Sequence, residues 1–210
     1  MPPLFDVPCN VKKIPPAKAG TQIAADLQLL QKRVIEYGAA AASVIASSQV
    51  IFSHDVRARA AADVSYPSFN WPLALPRDNM RDAIGAYQHG IFFSIMFSKP
   101  LPACGGGPIP DEEHRRLYER LYALVTDIES SSFYMGYQLA LGLAAGNCRA
   151  VFCHSEDRCW AMVKGRGCIH PYKGRPSMET VGIDTRVMAR SLSMTGESDN
   201  RLLAGLVMIV

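Results

Sequence analysis

Four of the chain's six cysteines lie within 21 residues, between Cys148 and Cys168. Their spacing is Cys-x4-Cys-x5-Cys-x8-Cys, and the other 189 of the 210 residues hold only two cysteines. Free cysteines are often buried singly as small apolar side chains. So dense a group instead predicts disulfides, a zinc site or an iron–sulfur cluster, and the fold has to bring its sulfur atoms together.

The N-terminal sequence favours a compartment in which these thiols stay reduced. MPPLFDVPCN lacks the positive n-region and the apolar h-region of a secretory signal. No apolar run approaches the roughly 18 residues needed to cross a bilayer, since the closest, Leu139–Ala145, is short and interrupted by glycine. We therefore expect a cytoplasmic protein without a membrane partner. In that compartment clustered cysteines are more often metal ligands or catalytic groups than disulfides.

Length and composition set the domain organisation. A chain of 210 residues with 49% apolar and 20% charged residues can bury a sizeable core. We expect a single domain over residues 1–210, with an extended, proline-rich lead-in at residues 1–20. The formal net charge of +3 is small, and no Lys/Arg-rich run or basic helix face occurs. This pattern argues against a nucleic-acid partner.

The apolar pattern predicts both helices and strands. Helical spacing begins at Thr21 and again after Asp111, which opens the longest predicted helix. We expect the serines that follow Glu129 to bend or interrupt that helix, and the small, apolar stretch Phe133–Gly146 to form a buried helix before the first cysteine. Another short helix is predicted to begin at Asp184.

Runs of β-branched and apolar residues predict the strands. They occur at Ser43–Ser53, at Gly90–Phe97 and at the C-terminus, in LLAGLVMIV. Helices and strands in this order predict an α/β or α+β fold with a single sheet flanked by helices. A cysteine-rich metal-binding loop, residues 148–176, would follow a long buried helix. The apolar C-terminal strand is a candidate for pairing with a second copy in a homodimer.

The spacing of the four cysteines favours iron–sulfur over zinc. A zinc ribbon has close pairs with two to four residues inside each pair, whereas the gaps here are longer and uneven. Longer gaps suit a bulkier cofactor with four separate corners. Zinc remains the alternative, and His154 or His170 could replace one thiolate.

Two stretches resemble a known family. FYMGYQLALGLAAGNC, which ends at Cys148, and CIHPYKGRPSMETVGID, which begins at Cys168, are similar to motifs of an uncharacterised family called predicted metal-binding proteins. By this resemblance the C-terminal metal ligands are Cys148, Cys153, Cys159 and Cys168, and the resemblance implies a [4Fe–4S] cluster.

The chain departs from that family in its middle. Typical members carry a second cysteine group of the form C-P-x-Y-G-x-x-W-x-C-P-P, but the corresponding stretch here, VSYPSFNWPLALP, has no cysteine. One cluster is therefore expected. Tyr66 and Trp71 remain from the motif, and this loop is either a spacer or an aromatic-walled pocket that contacts a ligand.

The motif after the cluster leaves several roles open. Arg175 and Glu179 could pair with each other near the metal, and His170 could support a ligand there. Alternatively, Arg175 could bind a carboxylate or a phosphate, or the motif could simply start the next turn and helix. No nucleophile–base pair stands out, so the sequence does not decide whether the protein is an enzyme.

Three functions are consistent with these observations. The first is an iron–sulfur protein that carries electrons to or from a redox partner protein. The second is a binding module held together by zinc. The third is an enzyme whose cluster has an open iron position, with Tyr66 and Trp71 near the substrate.

Overall fold

The computed structural model describes residues 18–62, 80–96, 111–163, 166–194 and 202–210. The described strands form one antiparallel sheet in the order β1-β2-β4-β3. Their bounds are β1 Ala41–Ala46, β2 His89–Met96, β3 Leu141–Leu143 and β4 Leu202–Met208. The strands predicted from Gly90 and at the C-terminus are thereby confirmed. The one predicted over Ser43–Ser53 is confirmed only as far as Ala46, because Ser47–Gln49 form a 3₁₀ turn.

Six α-helices accompany the sheet in the described part of the chain. They are α1 Gly20–Glu36, α2 His54–Ala62, α3 Met80–Gly85, α4 Glu112–Tyr134, α5 Cys148–Phe152 and α6 Thr185–Ser191. Helices thus flank a single antiparallel sheet, which confirms the predicted α+β class. None of these helices combines the length and apolar character needed to cross a membrane. Residues 1–17 of the predicted lead-in lie outside the described residues.

The central strands bury both of their faces. Alternate side chains of β2, such as Ile91 and Phe93, pack under α1 and α4, whereas Phe92 packs on the opposite side with α3 and α6. The side chains of β4 alternate in the same way, with Val207 facing α1 and α4 and Leu206 facing α3 and α6. This alternation follows from the two-residue period of a strand.

Strand β4 pairs with β2 on one side and with β3 on the other. Leu206–Met208 of β4 are therefore interior to the sheet, because Leu141–Leu143, predicted to be helical, pairs with them. The homodimer that the sequence suggested through β4 stays a prediction.

The interpretation of Phe133–Gly146 as a buried helix was wrong. Helix α4 continues through its serines to Tyr134, and Ser131 and Ser132 donate side-chain hydrogen bonds to the carbonyl oxygens of Asp127 and Ile128, so their hydroxyls are satisfied within the helix. Gly136, with φ +97°, then ends the helix in a conformation that favours glycine. The chain turns back and enters the sheet as β3.

Helix α4 approaches the sheet closely because two strand residues lack a side chain. A Cβ atom placed on Gly142 would lie 2.6 Å from Val125 Cγ1, and one on Gly205 would lie 2.9 Å from Val125 Cγ2. The start of α4 is fixed as predicted, with the Asp111 carboxylate accepting from the backbone N–H of His114 at 2.9 Å. This helix is the platform on which the cysteine segment lies.

Candidate metal centre

The cysteine segment, residues 148–176, begins shortly after the chain leaves β3. Gly146 has φ +70°, and a Cβ atom there would lie 2.5 Å from the Tyr118 ring of α4, so only glycine fits this turn. Asn147 then caps α5 by accepting from the backbone N–H of Arg149 at 2.9 Å. Cys148 is therefore held at the first position of a capped helix.

The chain returns to the same point of the sheet after the segment. Ala144 and Ser177 form a parallel bridge. The backbone N–H of Ala144 donates to the Pro176 carbonyl at 2.9 Å, and that of Met178 donates to the Ala144 carbonyl at 2.8 Å. Both ends of the segment are thus anchored at β3.

The four thiols lie within electrostatic range of one another. Burial, and then the charges of Cys159, Cys168 and Cys153, raise the pKa of Cys148 to about 12. Burial, and then Cys168 and Cys159, raise the pKa of Cys153 to about 11. Burial also raises the pKa of Cys168, with Cys159 adding to the rise. Each of the six pairs among the four sulfur atoms is coupled in this way, so the segment gathers all four into one neighbourhood.

The donor set fits a metal centre in chemistry, although its side chains do not converge on one point. Among the described residues, no group of three or more His, Cys, Asp or Glu side chains is arranged to hold a metal ion as it stands. Charges affect one another over longer distances than a metal–ligand bond. The four thiols can therefore shift one another's pKa although their sulfur atoms are not arranged around one point. Four thiols suit either an iron–sulfur cluster or tetrahedral zinc.

Arg149 fixes the loop that joins the second and third cysteines. Its Nη2 donates to the carbonyl oxygens of Glu156 at 3.0 Å and Asp157 at 2.9 Å. The Trp160 indole N–H donates to the Glu156 carboxylate at 2.9 Å. The Arg149 guanidinium also lowers the pKa of Cys153, against the larger effect of burial. The Arg149 side chain therefore holds the loop in place and brings positive charge towards the Cys153 thiol.

Aromatic side chains connect the last cysteine to α4. The ring of His170 lies 5.9 Å from that of Phe152, which makes an edge contact at 5.2 Å with Tyr122. The backbone N–H of His170 donates to Cys168 Sγ at 3.3 Å, which favours the thiolate. His170 is thus close to a thiol through its backbone, whereas His154 is exposed.

Arg175 pairs with Glu129 of α4 and not with Glu179. The Glu129 Oε2 atom accepts from Arg175 Nη2 at 2.6 Å and from Nε at 2.7 Å, while Oε1 accepts from the backbone N–H of Gly142 at 2.9 Å. Glu179 instead accepts from the backbone N–H of Gly146 at 3.3 Å. Burial raises the pKa of Glu179, although backbone N–H groups and the Ser177 hydroxyl lower it. The predicted Arg175–Glu179 pair is therefore replaced by two separate contacts, one from Arg175 to Glu129 of α4 and one from Glu179 to the backbone of Gly146.

The sequence model of the family described as predicted metal-binding protein (DUF2284) matches residues 43–209. The chain belongs to this family. Comparisons with curated proteins and with solved structures gave no match. The description of the family agrees with the coarse prediction of metal binding, and it names no metal.

All predicted site residues lie within the range that the family of predicted metal-binding proteins covers. Tyr66 and Trp71 are outside the described residues of the structure, so their role stays a prediction. Sequence reasoning missed Glu129 and Arg149. Arg149 directly follows the first cysteine, and this adjacency was the only available signal for it.

Proposed function

We propose that this protein binds one [4Fe–4S] cluster through Cys148, Cys153, Cys159 and Cys168 and acts in electron transfer. The observation that carries the proposal is that four cysteines lie in one segment whose two ends meet at the Ala144–Ser177 bridge. The effects of these thiols on one another's pKa support it. Buried, mutually repelling thiolates are costly without a cation, and a bound metal removes that cost. The uneven gaps favour a cluster over a single zinc ion.

The chain's own residues would hold and tune such a centre. The backbone N–H of His170 points at the Cys168 sulfur, and hydrogen bonds to sulfur together with nearby charge set the potential of a cluster. Burial raises the pKa of Cys153 and Cys168, and the charges of Arg149 and Arg175, respectively, offset part of that rise and so favour the anionic form. When bound, a [4Fe–4S] cluster supplies one-electron redox chemistry. We place this activity in the cytoplasm, where thiols stay reduced.

A zinc-stapled binding module is the second candidate. It is favoured by the low content of regular structure in the segment, where α5 has five residues and the turn Trp160–Met162 has three. Structural zinc supplies folding energy to segments of this kind. An enzyme with an open iron position is a third outcome, and it needs one of the four cysteines to be dispensable.

Anaerobic purification followed by iron, sulfide and zinc analysis tests the proposal. We expect about four iron and four sulfide per chain for this cluster type, with a paramagnetic resonance signal after reduction. One zinc per chain without iron would establish the second candidate instead. Single Cys→Ser changes at the four positions should each abolish cluster retention.

The other two cysteines of the chain provide the matched control. Cys9→Ser and Cys104→Ser should leave the iron content unchanged. If either change removes the iron, the assignment of four ligands is wrong. A full cluster after Ser replacement at just one of the four sites would point to the enzyme.

A further inference from the structure

Positive charge is concentrated in residues 148–176. This stretch has two acidic residues, Glu156 and Asp157, and six basic ones, so its net charge is +4, whereas the whole chain has +3 from 22 basic and 19 acidic residues. The remaining 181 residues therefore have 16 basic and 17 acidic residues, a net charge of −1. The basic residues are Arg149, Arg158, Lys164, Arg166, Lys173 and Arg175.

Several of these charges are exposed and close to the cysteines in sequence, together with apolar side chains. Arg158, Arg166 and Lys173 are exposed, and between them in sequence Ile169 is 47% and Tyr172 is 82% exposed. We call these five residues the basic rim. Each lies within five residues of a cysteine, which limits its distance from the thiols because successive Cα atoms are about 3.8 Å apart.

Parts of the basic rim are anchored to the fold. The Arg166 guanidinium lies 5.6 Å from the centre of the Trp160 ring. The Tyr172 carbonyl accepts from the Thr126 hydroxyl of α4 at 3.4 Å. In the turn that follows, the backbone N–H of Lys173 donates to the His170 carbonyl at 3.1 Å. An anchored surface loses less conformational entropy on binding than a free loop does.

We propose that the basic rim is the docking surface for an acidic protein, namely an electron-transfer protein whose own cofactor is surrounded by carboxylates. The proposal rests on the proposed function, because each rim residue lies within five residues of a cysteine assigned to the cluster. Exposed Arg and Tyr are typical of protein interfaces, and complementary charge around an apolar centre speeds encounter. Nucleic acid is the less suitable partner, since the whole chain has a net charge of only +3 and no Lys/Arg-rich run or basic helix face in its sequence.

The test measures binding of two fluorescently labelled acidic probes, oxidised flavodoxin and oxidised plant-type ferredoxin, to the anaerobically purified protein. A triple variant reverses the rim charges: Arg158→Glu, Arg166→Glu and Lys173→Glu. A control with the same change in net charge reverses exposed cations elsewhere: Lys32→Glu, Arg59→Glu and Arg116→Glu. At low ionic strength we expect the rim variant to weaken binding by about tenfold or more and the control by less than about twofold.

Two further readouts sharpen the result. Added salt should weaken wild-type binding and abolish the difference from the rim variant. Tyr172→Ala should weaken binding without changing its salt dependence. The proposal is overturned if neither probe binds, if both triple variants weaken binding equally, or if a single-stranded RNA binds more tightly than the probes and loses affinity in the rim variant.

The outcome is separable from that of the proposed function. The protein and both probes are used in their oxidised states without added reductant, so no electron is transferred and binding is measured whatever metal is present. A zinc-containing protein that binds the probes would refute the cluster and keep the docking surface. A protein with a full cluster that binds neither probe would refute the docking surface alone.

Discussion

The sheet and the cysteine segment are stabilised in opposite ways. Strands β2 and β4 bury both faces between two apolar layers and exchange regular backbone hydrogen bonds. In the described part of the cysteine segment, by contrast, only Val151, Cys153 and Gly174 are buried. Polar contacts to α4 and within the segment hold it. The sheet therefore depends on hydrophobic burial, whereas the segment depends on a few directed contacts and on the proposed metal.

The sharpest way to break the sheet is to empty its core. Phe93→Ala removes a fully buried ring between α4 and the sheet. We expect the free energy of unfolding to fall by about 3–5 kcal/mol, the usual cost of such a cavity. Denaturant unfolding measures it, and Tyr134→Ala, at a side chain 86% exposed, is the control. A loss below about 1 kcal/mol would mean that this layer does not carry the fold.

Metal removal should destabilise the cysteine segment and leave the sheet unchanged. After anaerobic chelation we expect amide exchange in residues 148–176 to accelerate about a hundredfold, equivalent to about 2.7 kcal/mol of lost local stability. Exchange in β2 and β4 should not change. Hydrogen-exchange mass spectrometry separates the two regions. Equal acceleration in the sheet would show that the metal supports the whole fold.

Glu129 is the main polar link between the regions, and Glu129→Gln weakens it. The amide oxygen of glutamine can still accept from Gly142, but the ion pair with Arg175 is lost. We expect about 1–2 kcal/mol of lost stability and faster metal release to a chelator. Glu119→Gln, on an exposed position of α4, should change neither quantity. Unchanged metal release in Glu129→Gln would exclude this link as a support of the segment.

Arg149→Lys tests geometry at constant charge. A lysine ammonium lacks the planar fork of arginine and cannot reproduce its bonds to the Glu156 and Asp157 carbonyls. We expect about 1 kcal/mol of lost stability, with faster amide exchange confined to residues 153–160. Arg158→Lys in the same loop serves as the control. Wild-type exchange in Arg149→Lys would indicate that its charge alone matters.

The smallest effect is expected at a tether of α1, far from the thiols in sequence. Burial alone would raise the pKa of Asp26, but Lys18 at 2.6 Å and the Tyr137 hydroxyl at 2.8 Å lower it below the usual value. The resulting stabilisation is complete above the unfolded pKa of about 3.9 and is lost as the pH falls through the folded pKa.

Asp26→Asn should therefore cost about 1 kcal/mol at neutral pH and progressively less in acid. Unfolding curves at several pH values measure the difference from wild type. The metal content should stay unchanged. A difference that grows as the pH falls would contradict the assigned sign.

The same contrast explains what the sequence could predict. Continuous apolar runs identified β2 and β4, and Asp111 and Asp184 were recognised as helix caps because capping is local. Strand β3 was missed since Leu141–Leu143 is short and apolar on both sides, a pattern shared by buried helices. Glu129 was missed because its partner Arg175 is 46 residues away. The density of cysteines in the sequence was enough to predict that they lie close together. The contacts that hold their segment in place could be identified only from the structure.

The bridge between Ala144 and Ser177 is parallel, and parallel neighbours cannot be joined by a tight turn. They need a crossover connection of a dozen residues or more, which is usually a helix packed on the sheet. Here residues 145–176 make that crossover, and the four thiols lie in it. The candidate centre thus lies in a connection that the fold itself requires. Shortening this connection below the length of a crossover would separate Ala144 from Ser177 even in a protein that needs no metal.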